Sequence, residues 1–286
     1  MNNLLDRLYT PQWAGGWTAA RYLFVLVAFV THLPRWRGIG DVYGVSDMVF
    51  SNPPFFLADY WIFSPVTAWG VWAAAFVGLG MLLYGGKLAK PGMLVWLLFS
   101  WLLLANEALN IKAYDRLLTW TAWGLLLGPI GERGLTAKHR SPYGRWFLLL
   151  VFCALYGSTG WLKTLKETEG WLNGEVLAYH LVHQHFGLQA VGVWLSDKPF
   201  FTTAMSWFTL AFEAAFPLLI WIRRVNPWLL LAGIGLHAGI YLTMNVGPFS
   251  FVALIAYPVL LHPETARTLH ERWHRWRAAR RAKKAA

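Results

Sequence analysis

The chain has 286 residues, of which 57% are hydrophobic and 14% are charged, whereas a typical soluble domain carries about 25% charged residues. The apolar residues form long runs, which is the composition of a polytopic membrane protein and excludes an ordinary soluble enzyme. The net charge of +11 does not indicate nucleic acid binding, because eight of the 25 Lys and Arg residues follow the last apolar run and suit anionic lipid headgroups. The single cysteine, Cys153, excludes an intrachain disulfide and a CxxC site.

Eight segments are long and apolar enough to predict membrane-spanning helices. In chain order they cover residues 17–33, 65–85, 91–108, 114–130, 145–162, 202–222, 226–244 and 248–261. We therefore predict an all-α fold, a polytopic membrane helical bundle of about eight transmembrane helices. Residues 1–262 would form the transmembrane domain, and residues 263–286 a basic cytoplasmic tail.

The distribution of Lys and Arg predicts the orientation of this bundle. With eight crossings and a cytoplasmic N-terminus, 18 of these residues lie on the cytoplasmic side and seven on the outer side. This bias agrees with the positive-inside rule and places both termini in the cytoplasm. Two long segments, 34–64 and 163–201, then lie on the outer face, where we expect the function. We interpret 34–64 as re-entrant or interfacial, and 171–186 as an amphipathic interfacial helix.

Lys163 lies at the edge of the fifth predicted span, in the sequence YGSTGWLK. A lysine in this position commonly snorkels to the headgroups. The second interpretation is a base in a poorly hydrated site. The small residues 157–160 would let another helix or a flat ligand approach closely. Lys166 is the alternative base, and it is less favourable because Glu167 and Glu169 are its neighbours in sequence.

Two ionisable residues fall in the middle of later predicted spans. Glu213 must be protonated, paired or directed into a polar cavity, because a bare carboxylate in a membrane is costly. His237 is followed by Tyr241 and Asn245, which form a polar line along an apolar helix. Both residues are candidates either for a site or for structural contacts between helices.

Three histidines, His180, His183 and His185, lie in the long outer segment. His180 and His183 are three residues apart and share a helical face, which is the spacing of some zinc ligands. The cluster has no cysteine partner, and the nearest acidic residue, Glu175, is five positions from His180. We therefore interpret it as a hydrated histidine face and predict no metal.

Several motifs occur in an order that resembles a known family. They are Tyr156, TGWLK at 159–163, WLNG at 171–174, Glu213, and LHAGIYLTMNVGPFSFVAL at 236–254. Their order is similar to that in the transmembrane domain shared by vitamin K-dependent gamma-carboxylases and their bacterial relatives, the HTTM (horizontally transferred transmembrane) domain. The resemblance extends from the first predicted helix to about residue 261.

The resemblance implies a quinone-dependent membrane enzyme, in which Lys163 is the base that deprotonates a reduced, vitamin K-like quinone before oxygenation and a carboxylation (lyase) step. It places Glu213, His237, Tyr156, Asn245 and Trp171 in the pocket for substrate or cofactor. The implied ligand is a quinone or another lipid. The implied location is the bacterial inner membrane, with membrane lipids as partners and no nucleic acid.

The chain departs from the carboxylases at three points. A histidine follows an asparagine in the corresponding carboxylase helix, whereas this chain has Asn110-Ile111. The interval from Lys163 to Trp171 is longer, which leaves both Lys163 and Lys166 open as the base. The large outer domain that holds a glutamate-rich substrate is absent, so we do not expect complete gamma-carboxylation of a protein.

Two other functions fit the same residues. One is a non-catalytic membrane protein, such as a maturation, immunity or scaffold factor, whose protein partner the sequence does not identify. The other is a proton-coupled transporter with Glu213 as its proton site, against which the lack of an internal inverted repeat counts.

Overall fold

The structure is a computed structural model that describes residues 12–13, 15–39, 64–106, 113–132, 139–140, 142–166 and 168–285. These residues form helices almost throughout, which confirms the all-α prediction. A two-residue antiparallel ladder pairs β1 (Gln12–Trp13) with β2 (His139–Arg140). The Asn110-Ile111 pair and positions 40–63 of the first outer segment lie outside the described residues.

The α-helices of the described chain, in order, are α1 (Gly15–His32), α2 (Pro65–Tyr84), α3 (Ala89–Asn106), α4 (Ala113–Leu126), α5 (Tyr143–Lys166), α6 (Thr168–Leu172), α7 (Glu175–Val182), α8 (Ala190–Ser196), α9 (Pro199–Leu219), α10 (Asn226–Thr243), α11 (Phe249–Leu254), α12 (Tyr257–Leu260) and α13 (Pro263–Ala285). Short 3₁₀ turns follow α1, at Leu33–Gly38, and α2, at Gly86–Leu88. The chain divides into two compact units, Met1–Arg145 and Trp146–Ala286.

In the first unit, α2 and α3 pack closely at a pair of glycines. A Cβ at Gly78 would lie 2.8 Å from the Gly92 carbonyl oxygen, and one at Gly92 would lie 2.7 Å from that of Gly78. Two arginines of this unit, the buried Arg21 and the partly exposed Arg35, have polar partners. Nη1 of Arg21 donates to the carbonyl of Glu132 at 2.9 Å, and Nη2 of Arg35 lies 2.6 Å from a carboxylate oxygen of Asp115.

The second unit contains most of α5 and all later helices. One part of its core is an apolar cluster on helices α6 to α9, formed by Trp171, Leu177, Leu181, Leu195 and Leu210. The prediction of one interfacial helix over 171–186 is wrong in one respect, because this segment contains parts of two helices, α6 and α7. They are separated at Gly174, where φ is +82° and an added Cβ would lie 2.5 Å from the Thr203 backbone nitrogen. The close approach to α9 therefore requires glycine there.

Three stretches of the described chain are long and apolar enough to cross a membrane, namely Gly15–Gly38, Pro65–Tyr84 and Tyr143–Lys166. A fourth results if Phe249–Leu260 and Pro263–Lys283, bent by 85°, form one broken span. This is fewer than the eight predicted. One reason is length, because the 14 residues of α4 extend only about 21 Å against a hydrocarbon core of about 30 Å.

Polarity is the second reason for the smaller number. Helices α9 and α10 have 21 and 18 residues, which is long enough to span a bilayer. Their apolar runs are interrupted by hydroxyl, amide and ionisable residues, among them Glu213 and His237. The side chains that mark these helices as functional candidates therefore also weaken them as apolar spans.

Candidate functional site

Lys163 and Glu213 form an ion pair between the end of α5 and the middle of α9. Nζ of Lys163 donates to both carboxylate oxygens, at 2.8 Å to Oε2 and 3.0 Å to Oε1. The Lys163 side chain is 21% exposed and that of Glu213 is 11% exposed. The carboxylate is thus nearly enclosed, while the amine remains within reach of a molecule at the surface of this unit.

The indole of Trp171 covers a further side of the amine. Nζ of Lys163 lies 4.5 Å from the centroid of its ring, a distance at which a cation is attracted to the aromatic face. Trp171 lies on α6 and is itself buried in the apolar cluster. The ammonium is therefore held between a carboxylate and an aromatic ring instead of extending freely to headgroups, as snorkelling would require.

The pair forms because α5 and α9 approach each other closely at Gly160. A Cβ at this position would lie 2.7 Å from the backbone nitrogen of Ala214 and 2.8 Å from Cβ of Glu213. Any larger residue would separate the two helices. Lys163 follows Gly160 by three residues and therefore projects from the same side of α5. The small residue places the carboxylate within reach of the amine.

A second polar group lies deeper in the same unit. The Tyr156 hydroxyl is 2.7 Å from Nε2 of His237 and 2.9 Å from the hydroxyl of Tyr257. A phenol has one proton, so Tyr156 donates to one of these atoms and accepts from the other. All three side chains are buried. Nδ1 of His237 has no hydrogen-bond partner among the described residues.

Both polar groups are organised by one face of α5. Tyr156, Gly160 and Lys163 occupy positions i, i+4 and i+7, which form a single stripe on a helix. The rings of Phe212 and Phe216, one turn apart on α9, lie 5.1 Å and 4.5 Å from the ring of Tyr156. No hydrogen bond in the described residues joins the Tyr156 hydroxyl to the carboxylate of Glu213.

Tyr257 is a member of this constellation that the sequence analysis did not single out. It lies in the segment 248–261, which was predicted only as a short last span. Its one sequence signal is a polar hydroxyl within an apolar run next to Pro258. That signal is weak, because tyrosines are common in membrane proteins. The contact with Tyr156 spans 101 positions and depends entirely on packing.

Two other proposed site residues lie apart from these contacts. Asn245 is exposed, and its backbone N–H donates to the carbonyl of Phe186 at 2.7 Å, which supports the turn after α10. Lys166 is also exposed, whereas Lys163 is half-buried. The geometry thus distinguishes the two lysines, since Lys163 is the one held by Glu213.

The three histidines of the outer segment form part of an aromatic cluster. The ring of His183 stacks on Phe186, with centroids 5.4 Å apart, and lies 5.4 Å from the ring of His185. The backbone N–H of His185 donates to Nδ1 of His183 at 3.2 Å. Within the described residues, no three His, Cys, Asp or Glu side chains are grouped so that they could hold a metal ion.

Comparison with known proteins gives one match. Residues 130–264 match the family described as the HTTM domain. This range includes both members of the ion pair and all three members of the buried tyrosine–histidine group. No curated protein and no solved structure matches the chain.

Proposed function

Residues 130–264 match the HTTM domain family, and from that match we propose that this membrane protein is an enzyme acting on a reduced quinone or another isoprenoid-like lipid. Lys163 would be the base that removes a phenolic proton at the outer leaflet of a bacterial inner membrane. The observation that carries the proposal is the accessible amine of Lys163, held by Glu213 and Trp171 at the end of an apolar helix.

In this proposal Lys163 is the base, and Glu213 is the group that accepts the proton of the lysine. A lysine acts as a base only when it is neutral, so its own proton must first be accepted elsewhere. The two oxygens of Glu213 already accept hydrogen bonds from Nζ, so a proton can pass from Nζ to the carboxylate. The neutral amine then takes the proton of the substrate phenol. In a poorly hydrated site, such a transfer within a pair is less costly than separating two charges.

The buried Tyr156, His237 and Tyr257 would orient the substrate. Nδ1 of His237 is buried and has no hydrogen-bond partner among the described residues, so it is the atom of this group that would contact the ligand. Tyr156 and Lys163 are seven residues apart, which is about 10 Å along α5. The group would therefore contact a different part of the molecule from the one that meets Lys163.

The direct test is turnover of reduced menaquinone under oxygen by the purified protein in lipid nanodiscs, with quinol loss and quinone epoxide measured by chromatography. Lys163→Ala should lower the rate at least about 100-fold, the usual contribution of a general base. Lys166→Ala is the matched control and should retain activity, because this lysine is exposed. If the wild type gives no more epoxide than Lys163→Ala, the enzymatic proposal is wrong.

A non-catalytic role for the same pair is the second candidate. The observation that favours it is the complete satisfaction of the amine, which has two carboxylate contacts and an aromatic face. In this case the pair serves to hold α5 against α9, as in a scaffold or maturation protein. The exchange Lys163→Glu with Glu213→Lys distinguishes the two roles. It should restore thermal stability lost in either single variant, and a base at Lys163 would still be lost.

We also propose how the chain crosses the membrane and on which side its termini lie. Eight crossings with both termini in the cytoplasm would place the segment 163–201 outside and α13 inside, as the Lys and Arg distribution predicts. In a Cys153→Ser background, a cysteine replacing the exposed Leu188 should react with an impermeant maleimide in intact spheroplasts. A cysteine replacing Ala278 should react only after permeabilisation. Reaction of both in intact spheroplasts would contradict this topology.

A further inference from the structure

The C-terminal helix α13 begins at a sharp bend in the chain that two polar contacts stabilise. Oδ1 of the buried Asn226 accepts the backbone N–H of His262 at 2.8 Å, just before α13 begins. One residue into the helix, the carboxylate of Glu264 forms an ion pair with Arg223. The helix is bent by 85° from the preceding Phe249–Leu260. If that preceding segment runs along the membrane normal, α13 runs parallel to the bilayer surface.

One side of α13 presents apolar residues that are not covered. Leu269, Trp273 and Trp276 occupy positions i, i+4 and i+7 and are each about half exposed. The two indole rings stack with centroids 5.0 Å apart, and the guanidinium of Arg280 lies 5.3 Å from the Trp276 ring. Tryptophan beside arginine is a combination that suits the boundary between headgroups and acyl chains.

The charge of α13 is strongly positive. It carries eight Lys and Arg residues and only two acidic residues, Glu264 and Glu271. Each acidic residue already has an arginine partner, Arg223 for the first and Arg267 for the second, the latter at 3.2 Å. The remaining basic side chains have a strong electrostatic attraction to an anionic surface.

We propose that α13 lies flat on an anionic lipid leaflet, with Leu269, Trp273 and Trp276 inserted among the headgroups and the basic side chains on lipid phosphates. The apolar stripe argues for lipid over nucleic acid, because phosphate backbones need no inserted aromatic row. The bend of 85° beside Asn226 also supports a lipid surface, because it sets α13 nearly perpendicular to the apolar segment that precedes it. This inference is independent of any catalytic role for Lys163.

The test uses the full-length protein with Cys153→Ser and one nitroxide label at a time. Leu269→Cys places the label on the apolar stripe, and Ala278→Cys, nine residues later, places it on the opposite side of the helix. Each protein is reconstituted in nanodiscs of phosphatidylcholine alone or mixed with phosphatidylglycerol. In the anionic discs the label at 269 should become several-fold less accessible to a water-soluble nickel chelate and more accessible to oxygen. The label at 278 should remain accessible to nickel.

Two multiple variants separate the contributions. Trp273→Ala with Trp276→Ala should abolish the shielding at 269 while the charge is unchanged. Arg275→Gln, Arg277→Gln and Arg281→Gln should abolish the difference between the two lipid compositions. All of these residues are exposed, so the melting temperature of each variant should match that of the parent. Equal nickel accessibility at 269 and 278 in anionic discs, or shielding by an RNA oligonucleotide and not by phosphatidylglycerol, would overturn the proposal.

Discussion

Glu213 shows how a single carboxylate is accommodated in an apolar helix. Taking a charge out of water costs free energy, and close contact with an oppositely charged partner must offset most of this desolvation penalty. The two short hydrogen bonds from Lys163 meet this condition. Because the Lys163 side chain is partly exposed, water screens the pair, and its contribution is smaller than that of a fully buried pair.

Removing one member of the pair should destabilise the protein more than removing both. We expect Lys163→Met to lower the free energy of unfolding by about 1–3 kcal/mol, because it leaves Glu213 without its partner. The double variant Lys163→Met, Glu213→Leu should recover part of this loss. Thermal unfolding in detergent measures both, with Lys166→Met as the exposed control. Strictly additive losses would show that the two side chains are not coupled.

Gly160 should tolerate no side chain. Gly160→Ala places a methyl group 2.7 Å from the Ala214 backbone nitrogen and should lower the free energy of unfolding by about 1–3 kcal/mol through overpacking. Gly235→Ala, in α10, is the matched control, because an added Cβ there meets nothing within 4 Å. That variant should be neutral or slightly more stable, since alanine favours helix. Equal melting temperatures for the two variants would refute the close approach of α5 and α9.

At the scale of elements, α5 is the helix around which the candidate site is arranged. Its stripe of Tyr156, Gly160 and Lys163 meets α9 at the glycine and α6 through the lysine. The tyrosine reaches α10 and α12. A helix is suited to this task because residues separated by one or two turns point in the same direction on a rigid axis. The spacing of the two polar groups is therefore set by α5 itself.

The two tyrosines of the buried group should differ in importance. Tyr156→Phe removes both hydrogen bonds of the group and leaves Nε2 of His237 and the Tyr257 hydroxyl without partners, at a cost of about 1–3 kcal/mol for each buried group. Tyr257→Phe removes one bond, and Tyr156 keeps His237. Melting temperatures should therefore fall more for Tyr156→Phe than for Tyr257→Phe, with the exposed Tyr179→Phe unchanged. The reverse order would contradict the central position of Tyr156.

At the scale of the whole molecule, α13 should contribute more to orientation than to folding. Residues 271–283 are all exposed, so deleting 271–286 should leave the melting temperature nearly unchanged. The deletion removes seven basic residues, and in the proposed topology it lowers the number of Lys and Arg on the cytoplasmic side from 18 to 11, against seven outside. We expect part of the population to insert inverted, measured by maleimide labelling of a cysteine at Leu188. A single unchanged orientation would show that the tail is not needed for topology.

The part of the architecture that could be predicted is the part that rests on local composition. Helices occur in all eight predicted segments, because apolar residues in long runs favour helix in a membrane whatever their neighbours are. The break at Gly174 could not be predicted, since its positive φ follows from the approach of the Thr203 backbone. Fewer stretches of the described chain than the predicted eight have the length and hydropathy of a span, because α4 is short and α9 and α10 carry polar residues.

The sequence by itself determined that this is a helical chain with the apolar runs of a membrane protein, that residues 130–264 match the HTTM domain family, and that a lysine lies at a helix end and two ionisable residues lie within apolar runs. Only the tertiary structure decided which residues meet. Lys163 pairs with Glu213 across 50 positions, and Tyr156 with His237 across 81. The physical reason is that side-chain periodicity specifies the face of each helix, whereas the choice between possible partners depends on where small residues such as Gly160 let two backbones approach.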